Sequence, residues 1–231
     1  MKIPLSRRLL ACSNFVCPGD RVADIGCDHG YLGIYLLTNN IASSVIAADI
    51  NQQPLDSAFR NANKYGTAEK MKFYLSDGVK NIPRDFDTLV CAGMGADTII
   101  SILSSAPWLQ SDAYRLILQC QSKTPVLRKF LSEGGWRITE ESVLRDGRFL
   151  YTVMEVNWQP DYPKLTIGEW YFPPAILENP SKEVPEYYKD ILFRLTRAIN
   201  GRGETDASEM VIAYNELKSL AQTPELRWLE E

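Results

Sequence analysis

Short apolar segments alternate with amphipathic segments through the first two thirds of the chain. The apolar segments predict seven strands, near residues 21–27, 44–50, 71–76, 87–92, 114–120, 136–145 and 149–157. The amphipathic segments between them predict four helices, near residues 31–39, 53–65, 97–104 and 124–134. This alternation is typical of an α/β protein in which right-handed crossovers build a mostly parallel sheet.

The last two predicted strands depart from this parallel plan. Asp146-Gly147 lies between them as a tight-turn signal, and apolar residues alternate on both sides of it. These strands therefore predict a final antiparallel hairpin. The predicted fold is a doubly wound α/β sheet of seven strands, whereas a dinucleotide-binding dehydrogenase has six parallel strands.

The character of the chain changes again after Trp158. Prolines interrupt an irregular segment, and two amphipathic stretches near 184–200 and 205–222 then predict helices joined by a turn at Gly201-Arg202-Gly203. This pattern predicts an antiparallel helical hairpin. We therefore divide the chain into an α/β domain over residues 1–159 and a helical subdomain over residues 160–231.

The composition is that of an ordinary globular protein, with 45% hydrophobic residues among 231 and a net charge of −4. Residues 1–159 carry 17 Lys and Arg against 16 Asp and Glu, whereas residues 160–231 carry 8 against 13. No apolar run approaches the roughly 20 residues that span a bilayer, and the N-terminus lacks a secretory core. The five cysteines form no CxxC pair. We therefore expect a cytoplasmic protein with reduced cysteines, no metal and no membrane contact.

The segment 22–32 carries the strongest candidate site, because an apolar strand runs into a turn with glycines at 26 and 30. Backbone N–H groups at such a turn bind nucleotide-like ligands, and glycine lets the backbone approach them closely. The turn lacks the third glycine of the dinucleotide pattern, and Asp28 would repel a pyrophosphate. A carboxylate instead favours a sulfonium or amino group, which indicates S-adenosylmethionine. The alternative is a tight turn without a ligand.

Three further strand ends complete this predicted site. Asp49 is placed to accept the ribose hydroxyls, although it could instead cap the next helix. Asp77 could accept the adenine amine, although a plain Asp-Gly turn explains it nearly as well. The backbone groups of segment 93–95 are expected to be open where methyl donor and acceptor should meet, and Asp97 after it is expected to cap the next helix. The predicted cofactor site comprises Asp24, Gly26, Cys27, Asp28, His29, Gly30, Asp49, Ile50, Asn51, Ser76, Asp77, Gly78, Gly93, Met94 and Gly95.

Two smaller sets of residues are candidates for the reaction itself and for phosphate contacts. The predicted catalytic set is Asp28, His29, Tyr31, Gly93 and Met94. A lone histidine can equally be a structural hydrogen-bonding group, so the role of His29 stays open. The predicted RNA-binding set is Arg7, Arg8, Gln121, Lys123, Arg128 and Lys129, although such residues usually form a solvated face.

The chain resembles the bacterial tRNA (adenine-22 N1)-methyltransferases over nearly its whole length. The resemblance lies in Asp-Ile-Gly-Cys-Asp-His-Gly-Tyr-Leu at 24–32, Ser-Asp-Gly at 76–78, Gly-Met-Gly at 93–95, Leu-Ile-Leu-Gln at 116–119, Leu-Arg at 127–128 and the helical hairpin. Ala96 and Cys120 depart from the family pattern, which often has glycine and proline there. The resemblance implies a Rossmann-like methyltransferase fold and methyl transfer from S-adenosylmethionine to N1 of an adenine in tRNA.

The implied reaction needs alignment more than it needs a base, because the N1 lone pair is itself the nucleophile. An adenine within folded tRNA would have to be extruded into the site. The helical hairpin would grip the tRNA, although its acidic balance weakens this role. The protein is expected to be a monomer or a weak dimer.

Three alternatives to this prediction remain. The chain could methylate a small molecule or a protein, or bind S-adenosylmethionine without turnover. A nicotinamide dehydrogenase is disfavoured by Asp28, the missing third glycine and the final hairpin.

The Asn/Asp-Pro-Pro-aromatic motif of many amino methylases is absent, which argues against transfer to an exocyclic amine.

Overall fold

The computed structural model describes residues 3–202 and 207–230 and contains one seven-stranded sheet. Its strands are β1 Asp20–Ile25, β2 Ala42–Asp49, β3 Met71–Leu75, β4 Thr88–Met94, β5 Arg115–Cys120, β6 Trp136–Asp146 and β7 Phe149–Trp158. Its helices are α1 Arg7–Ser13, α2 Tyr31–Thr38, α3 Gln52–Tyr65, α4 Ala96–Ser104, α5 Thr124–Glu133, α6 Ile167–Tyr171, α7 Ala175–Glu178, α8 Val184–Arg202 and α9 Ser208–Leu220. All seven predicted strands are present.

The strand order, β3-β2-β1-β4-β5-β7-β6, confirms the predicted doubly wound sheet. Strand β1 pairs in parallel with both β2 and β4. Strand β7 inserts antiparallel between β5 and β6, which confirms the final hairpin. The connections leave β1 and β4 in opposite directions, so a crevice opens at the carboxyl ends of these two strands.

The two faces of the sheet and the C-terminal helices each have an apolar core. One cluster includes Leu89, Ile99 and Leu118, and a second on the sheet includes Ile34 and Val90. A third cluster joins Val143 of β6 to the apolar faces of α8 and α9. The C-terminal helices are therefore packed against the final hairpin, and the domain boundary at residue 159 stays a prediction.

Three helices lie where no helix was predicted. Helix α1 begins after Ser6, whose side chain accepts a hydrogen bond from the backbone N–H of Leu9. Helices α6 and α7 lie in the segment predicted to be irregular, and Thr166 and Glu169 form a capping box at the start of α6. These helices are too short for a periodic apolar pattern, so only their caps could have revealed them.

The helical hairpin differs from its prediction at the turn. Gly201 and Arg202 lie within α8, so α8 is longer than expected. Gly203 of the predicted turn, and residues 205 and 206 of the second predicted helix, lie outside the described residues. Within the described part of the chain, no helix is long and apolar enough to cross a membrane.

Arg128 is a correction to the predicted RNA-binding set. Its guanidinium is fully buried and binds both carboxylate oxygens of Glu141, at 2.6 and 3.1 Å. It also donates to the carbonyls of Trp170 and Tyr171 at 3.0 and 2.7 Å, and to the Tyr187 hydroxyl at 3.1 Å. With every donor directed inward, Arg128 cannot reach an RNA phosphate, and it instead joins α5, β6, α6 and α8.

We expect Arg128→Met to reduce the free energy of unfolding by about 3–5 kcal/mol, because Glu141 would remain buried without its partner. Arg60→Met is the matched control, since Arg60 lies on the exposed surface of α3. This control should change the free energy of unfolding by about 0.5 kcal/mol or less. Equilibrium unfolding in urea measures both. The double variant Arg128→Met with Glu141→Leu should recover much of the lost free energy. Equal losses in Arg128→Met and in the control Arg60→Met would contradict the role assigned to the buried ion pair.

Candidate active site

The crevice at the switch between β1 and β4 holds two cavities that meet at Gly26. The first, which we call the β2–β3 cavity, has a volume of about 550 Å³. Its lining includes Asp49, Ile50, Asn51, Ser76, Asp77, Gly78 and Met94. The second, the β1–β4 cavity, has a volume of about 270 Å³. Its lining includes Arg8, Asp24, Cys27, Asp28, Gly93, Gln119 and Gln121.

The turn after β1 requires its glycines. Gly26 and Gly30 both have φ of +71°, and Asp28 between them has φ of +49°. A Cβ atom at Gly26 would collide with the Met94 methyl group, and one at Gly30 would lie 2.9 Å from the Cβ of Ala58. Glycine is therefore needed both for the left-handed backbone and for the close packing of this turn against β4 and α3.

Asp49 holds the two neighbouring loops together. One carboxylate oxygen accepts the backbone N–H of Asp28 at 3.1 Å, and the other accepts that of Asn51 at 2.9 Å. The residue is 8% exposed at the wall of the β2–β3 cavity. Each oxygen retains a lone pair, so the carboxylate can still accept hydroxyl groups of a ligand.

Asp24 is the one buried carboxylate in the β1–β4 cavity. It is 4% exposed, and its Oδ2 atom has no hydrogen-bond partner among the described residues. Burial, together with the charge of Asp49, raises the pKa of Asp24 to about 7, although the backbone N–H of Gly33 opposes the rise. A cationic group in this cavity would supply the missing partner and stabilise the ionised form.

The turn at Ser76-Asp77-Gly78 is built by its own side chains. The Ser76 hydroxyl donates to the Gly78 carbonyl at 2.8 Å and accepts the Asn81 backbone N–H at 3.0 Å. Asp77 is exposed and lies 2.5 Å from the Lys80 ammonium. Ser76 therefore supports the loop, while Asp77 is the group that a ligand in the β2–β3 cavity can reach. Ile50 is 62% exposed beside it and offers an apolar surface.

The segment Gly93-Met94-Gly95 packs against the chain after β5. Gly93 donates its N–H to the Gln119 side-chain oxygen at 3.1 Å, and the Met94 carbonyl accepts the Gln121 N–H at 2.8 Å. A Cβ on Gly95 would lie 3.0 Å from the Ser122 hydroxyl. Gln119 is fully buried in the wall of the β1–β4 cavity. It was absent from the predicted site, and its signal in the sequence is a polar residue within an apolar strand.

His29 and Tyr31 lie outside the lining of both cavities. The His29 side chain is about half exposed, with Nε2 3.7 Å from a carboxylate oxygen of Asp28. The rings of His29 and Tyr31 are 5.9 Å apart. The Asn61 side chain donates to the His29 carbonyl at 3.0 Å and so holds the loop in place. The catalytic roles assigned to both residues stay predictions.

The other predicted RNA-binding residues lie where RNA can reach them. Arg8 lines the β1–β4 cavity, donates to Asp146 at 2.9 Å and lies 4.9 Å from the centre of the Tyr151 ring. Lys123 lies 2.7 Å from Asp97, and its side chain is 60% exposed. The remaining members that reach the surface are Arg7, Gln121 and Lys129. No group of three metal-ligating side chains occurs among residues 3–202 and 207–230.

Comparison with known proteins agrees with this arrangement. Residues 5–154 match the family described as "Methyltransferase domain". A putative tRNA methyltransferase of Mycoplasma pneumoniae is 31% identical over 85% of this chain and 92% of its own length. The tRNA (adenine(22)-N(1))-methyltransferase of Bacillus subtilis is 31% identical over 66% of this chain, and the match spans 65% of that relative, just under two thirds.

A solved structure extends the similarity to the whole fold. The structure of a putative tRNA (m1A22) methyltransferase of Streptococcus pneumoniae in complex with S-adenosyl-L-methionine superposes with a TM-score of 0.81. It shares 27% sequence identity and covers 92% of this chain and 99% of its own. The fold and the site thus define a Rossmann-like methyltransferase. Within that class, the chain belongs to the methyltransferase-domain family and is similar over nearly its whole length to the putative tRNA methyltransferase of Mycoplasma pneumoniae.

The shifted pKa of Asp24 predicts how stability depends on pH. The pKa is 3.8 in an unstructured chain and about 7 in the folded protein, so between these values the folded state retains a proton that the unfolded state has lost. The free energy of unfolding therefore falls as the pH rises from about 4 to 7, by up to about 1.4 kcal/mol per pH unit, and this contribution then levels off.

Asp24→Asn cannot ionise and should lose this contribution. Urea unfolding of both proteins between about pH 5 and 8 measures the difference, in which the titration of all other groups cancels. The curve of the wild type should descend relative to that of the variant up to about pH 7. Parallel curves would show that Asp24 is ionised at the same pH in both states.

Proposed function

We propose that this protein transfers the methyl group of S-adenosylmethionine to N1 of adenine 22 in tRNA. The observation that carries the proposal is the buried carboxylate of Asp24, which lacks a partner for Oδ2 among the described residues and favours a cation. The names of the relatives support the same reaction, as does the S-adenosyl-L-methionine complex of the Streptococcus pneumoniae protein. The cytoplasmic setting belongs to this proposal, because tRNA is its substrate.

The residues around the two cavities fit the parts of this cofactor. Asp24 would hold the positive charge of its amino acid portion, Asp49 would accept the ribose hydroxyls, and Asp77 would accept the adenine amine. Ile50 would cover the adenine ring. The other cofactor contacts that we propose line the two cavities and are Gly26, Cys27, Asp28, Asn51, Ser76, Gly78, Gly93 and Met94. His29, Gly30 and Gly95 lie in the loops beside the cavities and stay predicted contacts. When bound, S-adenosylmethionine supplies an electrophilic methyl group.

The acceptor side of the site is proposed to work by alignment. The lone pair of adenine N1 forms the new bond to carbon as the bond from carbon to sulfur breaks, so no residue has to remove a proton before attack. The product base carries the positive charge until a proton leaves its N6 side. Gln119 would hold Gly93 beside the reacting atoms, since it accepts the Gly93 N–H. An extruded adenine would enter between this segment and Gln121.

The RNA surface is proposed to lie around the mouth of the β1–β4 cavity. Arg8 and Gln121 line that cavity, and Lys123 follows Gln121 at the surface. Arg7 and Lys129 would extend this surface by contacting phosphates, which adds affinity but little sequence preference. Arg128 is excluded from this role by its burial.

A methylation assay tests the proposed function directly. The protein is incubated with S-adenosylmethionine carrying a labelled methyl group and with tRNA that lacks 1-methyladenosine. We expect label in tRNA, 1-methyladenosine after digestion and a reverse-transcription stop at position 22. Label on protein or on a small molecule, with none on tRNA, would favour the alternative acceptors and overturn the proposal.

The pKa of Asp24 also predicts the pH dependence of cofactor binding. The carboxyl must ionise to pair with a cation, so the affinity for S-adenosylmethionine should rise about tenfold per pH unit below pH 7 and then level off. Asp24→Asn should bind at least tenfold more weakly, without this dependence. Isothermal titration between about pH 5.5 and 7.5 measures both, with Asp56→Asn as an exposed control on α3. Wild-type affinity in Asp24→Asn would remove the role assigned to Asp24.

A further inference from the structure

A third cavity lies between the α/β sheet and the C-terminal helices. We call it the β7–α8 cleft, and its volume is about 290 Å³. One side is formed by residues 121–125, which lead into helix α5. Strand β7 contributes Tyr151 and Thr152, and helix α8 contributes Tyr187 and Ile191. None of the five residues Tyr151, Thr152, Tyr187, Ile191 and Lys123 lines the two cavities of the proposed cofactor site.

The cleft borders the β1–β4 cavity. Gln121 lines both spaces. Arg8 lines the β1–β4 cavity, while its guanidinium lies 4.9 Å from the centre of the Tyr151 ring, which lines the cleft. Only a few side chains therefore separate the cleft from the β1–β4 cavity. Two neighbouring units of one linear polymer could occupy the two spaces together.

The chemistry of the cleft favours a flat, partly polar ring. Its walls are aromatic and aliphatic, its volume is that of a small-molecule pocket, and nucleobases stack on such aromatic walls. The hydroxyl of Thr152 is buried in the wall and has no partner among the described residues. The cations at the cleft, Lys123 and Arg194, are already paired with Asp97 and Asp190, so the cleft itself is not built for a phosphate.

We propose that the β7–α8 cleft binds a nucleobase of the substrate RNA directly next to the acceptor adenine. This inference rests on the proposed function, because the acceptor defines which base is its neighbour. The base stacks on the ring of Tyr187, and its polar edge meets the hydroxyl of Thr152, which lies on the face of β7 that the C-terminal helices cover. Gln121, which lines both spaces, lies where the RNA chain passes from one cavity to the other.

Filling the cleft tests this assignment. Ala198 lines the cleft from α8, whereas Thr196 lies two residues away on the exposed side of the helix. Ala198→Trp should weaken binding of tRNA lacking 1-methyladenosine about tenfold, as measured by fluorescence anisotropy, because it occupies the space of the stacked base. Thr196→Trp is the matched control and should bind as the wild type does. Both variants should keep wild-type affinity for S-adenosylmethionine.

A second arm identifies the occupant. An abasic nucleotide on one side of the acceptor should weaken tRNA binding to the wild type about tenfold and leave binding to Ala198→Trp nearly unchanged, because both changes remove the same contact. The assignment would be overturned if Ala198→Trp bound tRNA as tightly as the wild type does. It would also be overturned if the abasic nucleotide weakened tRNA binding equally in the wild type and in Ala198→Trp. A wild type that binds tRNA in this pattern but forms no 1-methyladenosine would overturn the proposed function alone.

Thr152→Val separates recognition from folding. The change keeps the shape of the side chain and removes a hydroxyl that has no partner among the described residues, so the thermal midpoint should not fall. The affinity for tRNA should drop about fivefold if a base edge supplies the missing partner. Unchanged affinity for tRNA would overturn the contact assigned to Thr152.

Discussion

The opposed directions of the connections from β1 and β4 are the constraint on which the rest of the site depends. They open the crevice at the carboxyl ends of these strands, and the parallel pairing of β1 with β2 brings Asp24 close enough to Asp49 for their charges to interact. Asp49 is satisfied by the N–H groups of two loops, whereas Oδ2 of Asp24 has no protein partner among the described residues. The fold thus places two carboxyl groups together where the described chain offers no donor to Oδ2 of Asp24, so a cationic ligand would favour the ionised form of Asp24.

The carboxylate that favours a cationic ligand is that of Asp24 rather than that of Asp28. The sequence drew attention to Asp28, because it stands beside the glycines of the turn. Its side chain is 69% exposed, so water screens much of its charge, and its main contribution is a backbone N–H donated to Asp49. Asp24 is buried, so its preference for a cation is much stronger. The inference of a cationic donor is the same, but the residue that carries it is different.

The sheet could be predicted because its strands are continuous apolar runs, a signal that depends on few residues at a time. The environment of a single charged side chain depends on residues far away in the sequence and could not be predicted in that way. Helix α5 illustrates the difference, since Val126 is 47% exposed while Arg128 is fully buried against Glu141. Nothing in the local pattern indicates that pairing. The same holds for Gln119, because the Gly93 N–H that its side chain accepts lies far from it in the sequence.

The ties made by Arg128 also bear on how the C-terminal helices serve the site. Residues 160–231 carry 8 basic against 13 acidic residues, so their net charge does not attract RNA over a long range. Arg128 instead binds the carbonyls that end α6 and the hydroxyl of Tyr187 on α8, and its pairing with Glu141 ties both helices to β6. These contacts hold α6 and α8 in place against α5 and β6. In the proposed function, the C-terminal helices would therefore offer RNA a fixed surface rather than a basic one, and contact with a base on that surface would be less sensitive to salt than a phosphate contact.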